Sequence, residues 1–460
     1  MTGGGAPSDA SGSASRAGSL AGPSSASPTG SLAASLREAA RRFGTPAYVT
    51  SVAALEDAAA ELREAFPDPW LRAFSLKAND VPAIVARLGA LGLGANVVSA
   101  GEWAAARRAG IPDDRVTLEG IGKTTADLRA AVRAAAEGHP PRWVAVESAE
   151  ELASLAALAR RAGLGAASGG GAGGRPPLDV LLRLNPDVMP ETQAGLAVGR
   201  GSSKFGMTET ELTAVAASTA GPNLDGSIRL RGIHLHVGSQ LGAVDAWRDA
   251  VRRGLALLAL IGAGREGFDT FDVGGGFPVG EPGTVPSPAR FARELPALLD
   301  ALPADRRPAR LAVEPGRFLV ARAGWLVGAV LHVRERAGAE RVIVLDTGMT
   351  ELIRPALYGA RHRVAALTSL GRPRELPVPG KPALRADLTP ARVDGPVCES
   401  TDTFDHHDLP PLRRGDLVAI ADAGAYAASM AMTYNGRPRP PQVLLERDGS
   451  LVLGRRRGGG

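Results

Sequence analysis

Four lysines stand among the 53 Lys and Arg residues of this 460-residue chain: Lys77, Lys123, Lys204 and Lys381. Where arginine has displaced lysine almost everywhere, a retained lysine points to chemistry that a permanently protonated guanidinium cannot supply. Lys77 sits in FSLKAN (74–79), between apolar residues. A lysine facing a barrel interior there would be desolvated, its pKa lowered, and its amine ready for imine formation. Taken alone, it reads equally as a lysine snorkelling from a strand end.

Three more segments carry unusual residues. FDVGGGF holds Gly274, Gly275 and Gly276, whose backbone N–H groups can approach and cradle a phosphate; alone, such a triplet is more often a plain turn. EPGR places Glu314, Gly316 and Arg317 together. Arg317 suits bidentate capture of a phosphate or carboxylate. An inward Glu314 demands a cationic partner such as a protonated ring nitrogen, the alternative being a structural Glu314–Arg317 ion pair. IHLHVGSQ carries His234 and His236 on one face. No third ligand at suitable spacing supports a metal, so we expect none. A flat imidazole stacked on an aromatic cofactor suits His236 better, with Ser239 offering its hydroxyl to a phosphate.

The elements that must hold these residues are short β-rich runs alternating with helical patterns. The runs are 73–79, 95–100, 115–121, 142–148, 179–185, 231–238, 271–276 and 310–316. Strand, helix, strand, repeated to eight, predicts an α/β fold with a (β/α)8 barrel rather than an open doubly wound sheet. Lys77 with Asn79, His236, Gly274–Gly276 and Glu314–Arg317 then fall at the C-terminal strand ends, the face on which barrel active sites are built. After Gly316 the runs WLVGAVLHV, RVIVLDT, DLVAIADAGAY and QVLLERDGSLVL, with Pro/Gly turns, predict a β-rich C-terminal domain. The expected organisation is a disordered tail over 1–30, a segment over 31–50 joining the β domain through TPAYVTS, a barrel over 51–317 and the β domain over 318–460. GAASGGGAGGRPP (165–177) reads as a flexible loop.

Composition narrows the function. Hydrophobic residues are 44% and charged residues 22%, as in a globular chain. There is no membrane-length apolar run and no signal-like N-terminus. The net charge of +5 comes from scattered arginines, which argues against nucleic-acid binding. A single cysteine, Cys398, excludes a disulfide scaffold and fits a cytoplasmic setting.

The ordered set FSLKAN, SSKFG, HVGSQ, GGGF, EPGR, RPALYG, CES.D and GAY resembles the fold-type III, pyridoxal-phosphate-dependent decarboxylases, from about Ser31 to about Leu453. It is most similar to the branch that converts meso-2,6-diaminopimelate to L-lysine and carbon dioxide, the last step of lysine biosynthesis. The resemblance implies a two-domain, alanine-racemase-like architecture with pyridoxal 5'-phosphate bound at the barrel. It implies that Lys77 carries the cofactor and His236 stacks on its ring. Ser239, Gly274, Gly275, Gly276, Gly316, Arg317 and Tyr426 then surround the cofactor, and Glu314 meets the ring nitrogen. Alanine racemases place an arginine there, so Glu314 favours decarboxylation over racemisation. Arg317, Arg354, Tyr358 and Tyr426 would hold the substrate, with Cys398 as proton donor and Glu399 receiving the distal amine. Cys398 and Glu399 would cross a head-to-tail homodimer into the neighbouring site.

Read without the resemblance, Cys398 is a buried small hydrophobe, Arg354 and Tyr358 a surface pair, and Tyr426 a strand aromatic. Asp402 and Asp422 are equally solvated loop acids and receive no role. One stretch departs from the family: MPETQAGLAVGRGSSKFG (189–206) lacks the usual His and Thr-Gly. That keeps a related substrate in view: a D-amino acid, ornithine or arginine, or a carboxynorspermidine-type polyamine. A non-catalytic regulator retaining the fold, argued against by intact Lys77, Glu314 and Cys398, and a racemase are further alternatives.

Overall fold

The computed structural model describes residues 31–165, 175–192, 199, 203–218, 226–281, 283–335, 340–377 and 387–458. The expected tail, most of the 165–177 loop and much of the departing 189–206 segment lie outside them.

After helix α1 (Leu32–Phe43), strand β1 (Ala47–Ser51) leads into the barrel. Its eight strands are β2 (Leu71–Ser75), β3 (Gly94–Val97), β4 (Val116–Leu118), β5 (Trp143–Val146), β6 (Leu178–Leu184), β7 (Ile228–Leu235), β8 (Thr270–Asp272) and β9 (Arg310–Val313). All neighbours pair in parallel, and β9 closes on β2 through Leu71 with Ala312 and Arg72 with Val313. Strands covered on both faces carry continuous apolar runs, and β3, β4, β5 and β8 are buried at every position. Four of the helices begin on side-chain caps that satisfy otherwise unpaired backbone N–H groups: Ser51, Ser99, Ser148, and Thr124 in a capping box with Asp127.

Beyond the barrel come β10 (Gly324–Arg334), β11 (Val342–Leu345), β12 (Val364–Ala366), the small hairpin β13 (Thr368–Ser369) and β14 (Arg372–Pro373), and β15 (Thr389–Asp394). Strands β16 (Thr403–Leu409), β17 (Leu417–Ile420), β18 (Gln442–Leu445) and β19 (Leu451–Arg455) complete the chain. The large sheet runs β16-β15-β11-β10-β1-β18-β19, with β17 pairing both β10 and β12. Strand β1 lies between β10 and β18, within the C-terminal sheet. Helix α1 covers that sheet with Ala33, Leu36, Ala39 and Ala40 against Val327, Ala419 and Val443.

Two local expectations are corrected. Strand β2 stops at Ser75, so Lys77 stands in a 3-10 turn (Leu76–Ala78) rather than on the strand. Its neighbours Leu76 and Ala78 are buried while Lys77 itself is exposed. The turn carries the side chain out of the barrel interior. Tyr426 is no strand aromatic: β17 ends at Ile420, and Tyr426 has a left-handed backbone (φ 56°).

Candidate active site

The C-terminal barrel ends meet in backbone contacts that place the chemical segments side by side. Ser75 donates its N–H to the Pro315 carbonyl at 3.0 Å and its Oγ–H to the Glu314 carbonyl at 3.2 Å, tying the lysine turn to EPGR. Glu314 N–H donates to the Gly274 carbonyl at 2.9 Å. Glycine is required at the triplet by close approach: a Cβ on Gly275 would stand 2.2 Å from the Glu314 carbonyl oxygen, and one on Gly274 2.3 Å from that of Leu235. The C-terminal domain clasps the same turn. Asn79 Nδ2 donates to the Gly424 carbonyl at 3.0 Å, Tyr426 N–H to the Ala78 carbonyl at 2.8 Å, and Ser429 Oγ to the Lys77 carbonyl at 3.0 Å.

Over this junction opens a cavity of about 390 Å³. Lys77, His236, Ser239, Arg317, Arg354, Tyr358 and Tyr426, all singled out in the sequence, line it together. Arg354 and Tyr358 occupy one short helix (Arg354–Tyr358), which Gly359 ends in a left-handed conformation. They face the cavity, so the surface-pair reading is overturned.

Glu314 is buried, 4% exposed. It does not pair with Arg317, which overturns the structural ion-pair alternative. Its Oε1 accepts from Asn96 Nδ2 at 2.5 Å, and its Oε2 lies 3.4 Å from His234 Nε2. His234 in turn lies 3.2 Å from a second buried carboxyl, Glu119. Burial, reinforced by Glu314, lifts Glu119 to about 8, while burial depresses His234 to about 4. Glu119, His234 and Glu314 lie close enough to share an ion, yet the group is fully buried and one carboxylate already has an amide partner.

The triplet offers less anion contact than expected. Gly274 N–H donates to Asp272 Oδ1 at 2.9 Å and Gly275 N–H to His236 Nδ1 at 3.1 Å, so two of the three donors are already engaged. The second bond orients the imidazole, leaving its Nε2 edge for the cavity. Arg317 Nη2 donates to Ser239 Oγ at 3.1 Å, and its guanidinium stacks 4.8 Å from the Tyr426 ring centroid. Arg317 Nη1 is buried without a partner. Among the described residues no carboxylate forms an ion pair with Arg317 or Arg354, although burial pulls Arg354 down to about 10. A cavity with two guanidinium groups lacking acids, a hydroxyl and a facing lysine fits a ligand bearing a phosphate, a second anion and a carbonyl. The residues present therefore fit pyridoxal phosphate.

Cys398 and Glu399 are not brought to this cavity. Both are exposed; Glu399 lines a separate cleft of about 610 Å³ with Arg392, Asp394 and Asp402, and accepts from Tyr434 OH at 2.9 Å. Asn435 Nδ2 approaches Cys398 Sγ at 3.9 Å. The buried-hydrophobe reading of Cys398 is thereby overturned. Asp402, read as a solvated acid, is 3% exposed. Its carboxylate accepts from Met349 N–H at 2.6 Å and Val397 N–H at 2.8 Å, and so shapes the Cys398–Glu399 turn.

Sequence reasoning missed Glu119, Asn96 and Arg183, the last lining the cavity, paired with Glu147 and stacked on Phe205 at 4.9 Å. Glu119 carried a signal of the same kind as Glu314, an acid at the C-terminal end of a barrel strand.

Residues 52–321 match the pyridoxal-dependent decarboxylases, specifically their pyridoxal binding domain. The diaminopimelate decarboxylase of Aquifex aeolicus is 33% identical, the match covering 92% of this chain and 91% of that one. That of Zymomonas mobilis is 34% identical, covering 92% of each. In three dimensions, diaminopimelate decarboxylase from Helicobacter pylori complexed with L-lysine superposes with a TM-score of 0.78 at 29% identity, covering 92% of this chain and 96% of that one.

Proposed function

The chain belongs to the pyridoxal-dependent decarboxylases, and from that premise we propose that it converts meso-2,6-diaminopimelate to L-lysine and carbon dioxide. Its cofactor is pyridoxal 5'-phosphate. The observation that carries the reading is the presence, in one cavity with Lys77, of Arg317 and Arg354, which no acid pairs among the described residues. That charge pattern suits a phosphate together with a substrate that keeps a carboxylate at the end remote from the reaction.

The bound cofactor supplies the electron sink for the pair left at Cα when the C–C bond to carbon dioxide breaks. Lys77 would hold it through its amine, Ser239, Gly276 and Arg317 would hold its phosphate, His236 would lie against its ring, and Glu314 would supply the carboxylate for its ring nitrogen. Arg354 and Tyr358 grip the distal carboxylate. Cys398 of a second copy delivers its proton to Cα, and Glu399 of that copy receives the distal amine. A homodimer with shared sites explains why these two residues stand exposed and away from the cavity of their own chain. The enzyme works in the cytoplasm, where a lone thiol stays reduced.

The test is carbon dioxide release from a panel of amino acids. Release from meso-diaminopimelate with L-lysine as co-product is expected. Release from ornithine, arginine or a carboxylated polyamine alone would replace the substrate, and D/L interconversion without gas would replace the reaction.

A further inference from the structure

His362 is buried, 2% exposed, near the end of the segment that runs from the short Arg354–Tyr358 helix into β12. Its Nδ1 lies 2.9 Å from the Ala421 carbonyl oxygen, and its Nε2 lies 3.1 Å from Arg354 Nη1. A carbonyl only accepts, so Nδ1 carries the hydrogen. Nε2 of the neutral ring is then an acceptor, aimed at the guanidinium. Ala421 is itself fixed, donating its N–H to the Arg363 carbonyl at 2.9 Å just past the end of β17. The imidazole is thus a rigid bracket between the C-terminal sheet and one arginine of the cavity.

Arg354 needs such a bracket. It is largely buried, has no acidic partner among the described residues, and its Nε has no hydrogen-bond partner. A flexible guanidinium in that setting would either swing toward solvent or crowd Arg317, whose charge already opposes it. Burial keeps the His362 imidazole down near 4, so at neutral pH it adds an acceptor without adding a like charge. A neutral acceptor on one edge leaves the other N–H groups of Arg354 directed into the cavity, unspent until an anion arrives.

We infer that His362 is the positioning residue that aims Arg354 at the substrate's distal carboxylate, making the cavity selective for amino acids that retain a carboxylate over diamines that have none. The inference rests on the decarboxylase reading for the identity of the substrate, and on the His362–Arg354–Ala421 geometry for the rest.

The test is calorimetric binding of L-lysine and of cadaverine, which lacks the carboxylate, to the cofactor-loaded enzyme. His362→Leu removes the acceptor. L-lysine affinity should fall about 10- to 100-fold, the worth of a hydrogen bond to a charged group, with cadaverine affinity unchanged within about 3-fold. His362→Gln, which restores an acceptor toward Arg354, should recover most of the loss. Arg354→Met combined with His362→Leu should bind L-lysine no more weakly than Arg354→Met alone. His362→Asn still reaches Ala421 but stops short of Arg354, and it decides the matter if the leucine variant does not fold. Equal loss of both ligands, unchanged L-lysine binding, or additive losses in the double variant would each overturn the inference. A wild-type enzyme that binds L-lysine yet releases no gas from meso-diaminopimelate would sink the decarboxylase reading while leaving the His362 inference standing.

Discussion

Asn96 Nδ2 donates to Glu314 Oε1 at 2.5 Å, and Asn96 also donates to Thr117 Oγ1 at 3.2 Å, so an amide on β3, itself tied to β4, holds the carboxylate that follows β9. A carboxylate held this way has a fixed direction, and its charge is what a ring nitrogen needs to stay protonated. Glu314→Gln keeps the shape and removes the charge. Carbon dioxide release should fall by about 10²-fold or more, the typical scale for losing one preorganised electrostatic contact, while cofactor attachment to Lys77 persists. Turnover close to wild type would remove Glu314 from the proposed role.

The separation of Cys398 from Lys77 makes its own prediction. Lys77→Ala and Cys398→Ala variants are each expected to be inactive. Mixed after reversible dissociation, they form hybrid dimers in which one site has both residues intact. A statistical 1:1 mixture should therefore regain about a quarter of wild-type activity, by two-fold symmetry alone. No recovery in verified hybrids would mean that the two residues do not meet across an interface.

Asp402 organises the turn that presents Cys398 and Glu399. Asp402→Ala strands the Met349 and Val397 N–H groups, a loss of about 1–3 kcal/mol in unfolding free energy for each buried donor left unpaired. The cofactor should still attach to Lys77, because Asp402 touches no residue of that cavity. Turnover should fall with cofactor content unchanged; full turnover in the variant would show that the turn holds itself.

His362 offers a pH signature. It is a base whose folded pKa, about 4, lies below its usual value of 6.5. The unfolded chain binds the proton first as pH falls, so this contribution to stability is complete above about 6.5 and is lost progressively toward 4. The slope is about 1.4 kcal/mol per pH unit over that window. Urea unfolding at pH 7 and pH 5 should show His362→Gln losing less stability on acidification than wild type, by up to about 2 kcal/mol. Parallel losses in the two proteins would contradict a buried neutral imidazole.

The eight barrel strands could be read from the chain because each is a short apolar run closed by turn residues, and the residues at their ends were conspicuous by type. What remained hidden depends on distances the linear order does not encode. Lys77 was placed on its strand because nothing in FSLKAN marks the end of β2 at Ser75. Tyr426 follows a strand-like run, and its left-handed turn becomes apparent only with its N–H bonded to Ala78. His362 sits between two arginines in an unremarked stretch, and its partner Ala421 lies 59 positions away. Glu119 shows itself as a buried acid only once β4 and β7 are wrapped around the same axis.

The central claim is that the amine of Lys77 holds the cofactor, and the small number of lysines makes it directly measurable. Borohydride reduction of the loaded enzyme, followed by peptide mapping, should place the cofactor's mass on the Lys77 peptide and on none carrying Lys123, Lys204 or Lys381. Lys77→Ala should abolish both that label and the visible absorption of the bound cofactor. A label on another lysine, or an unchanged spectrum in Lys77→Ala, would contradict the account.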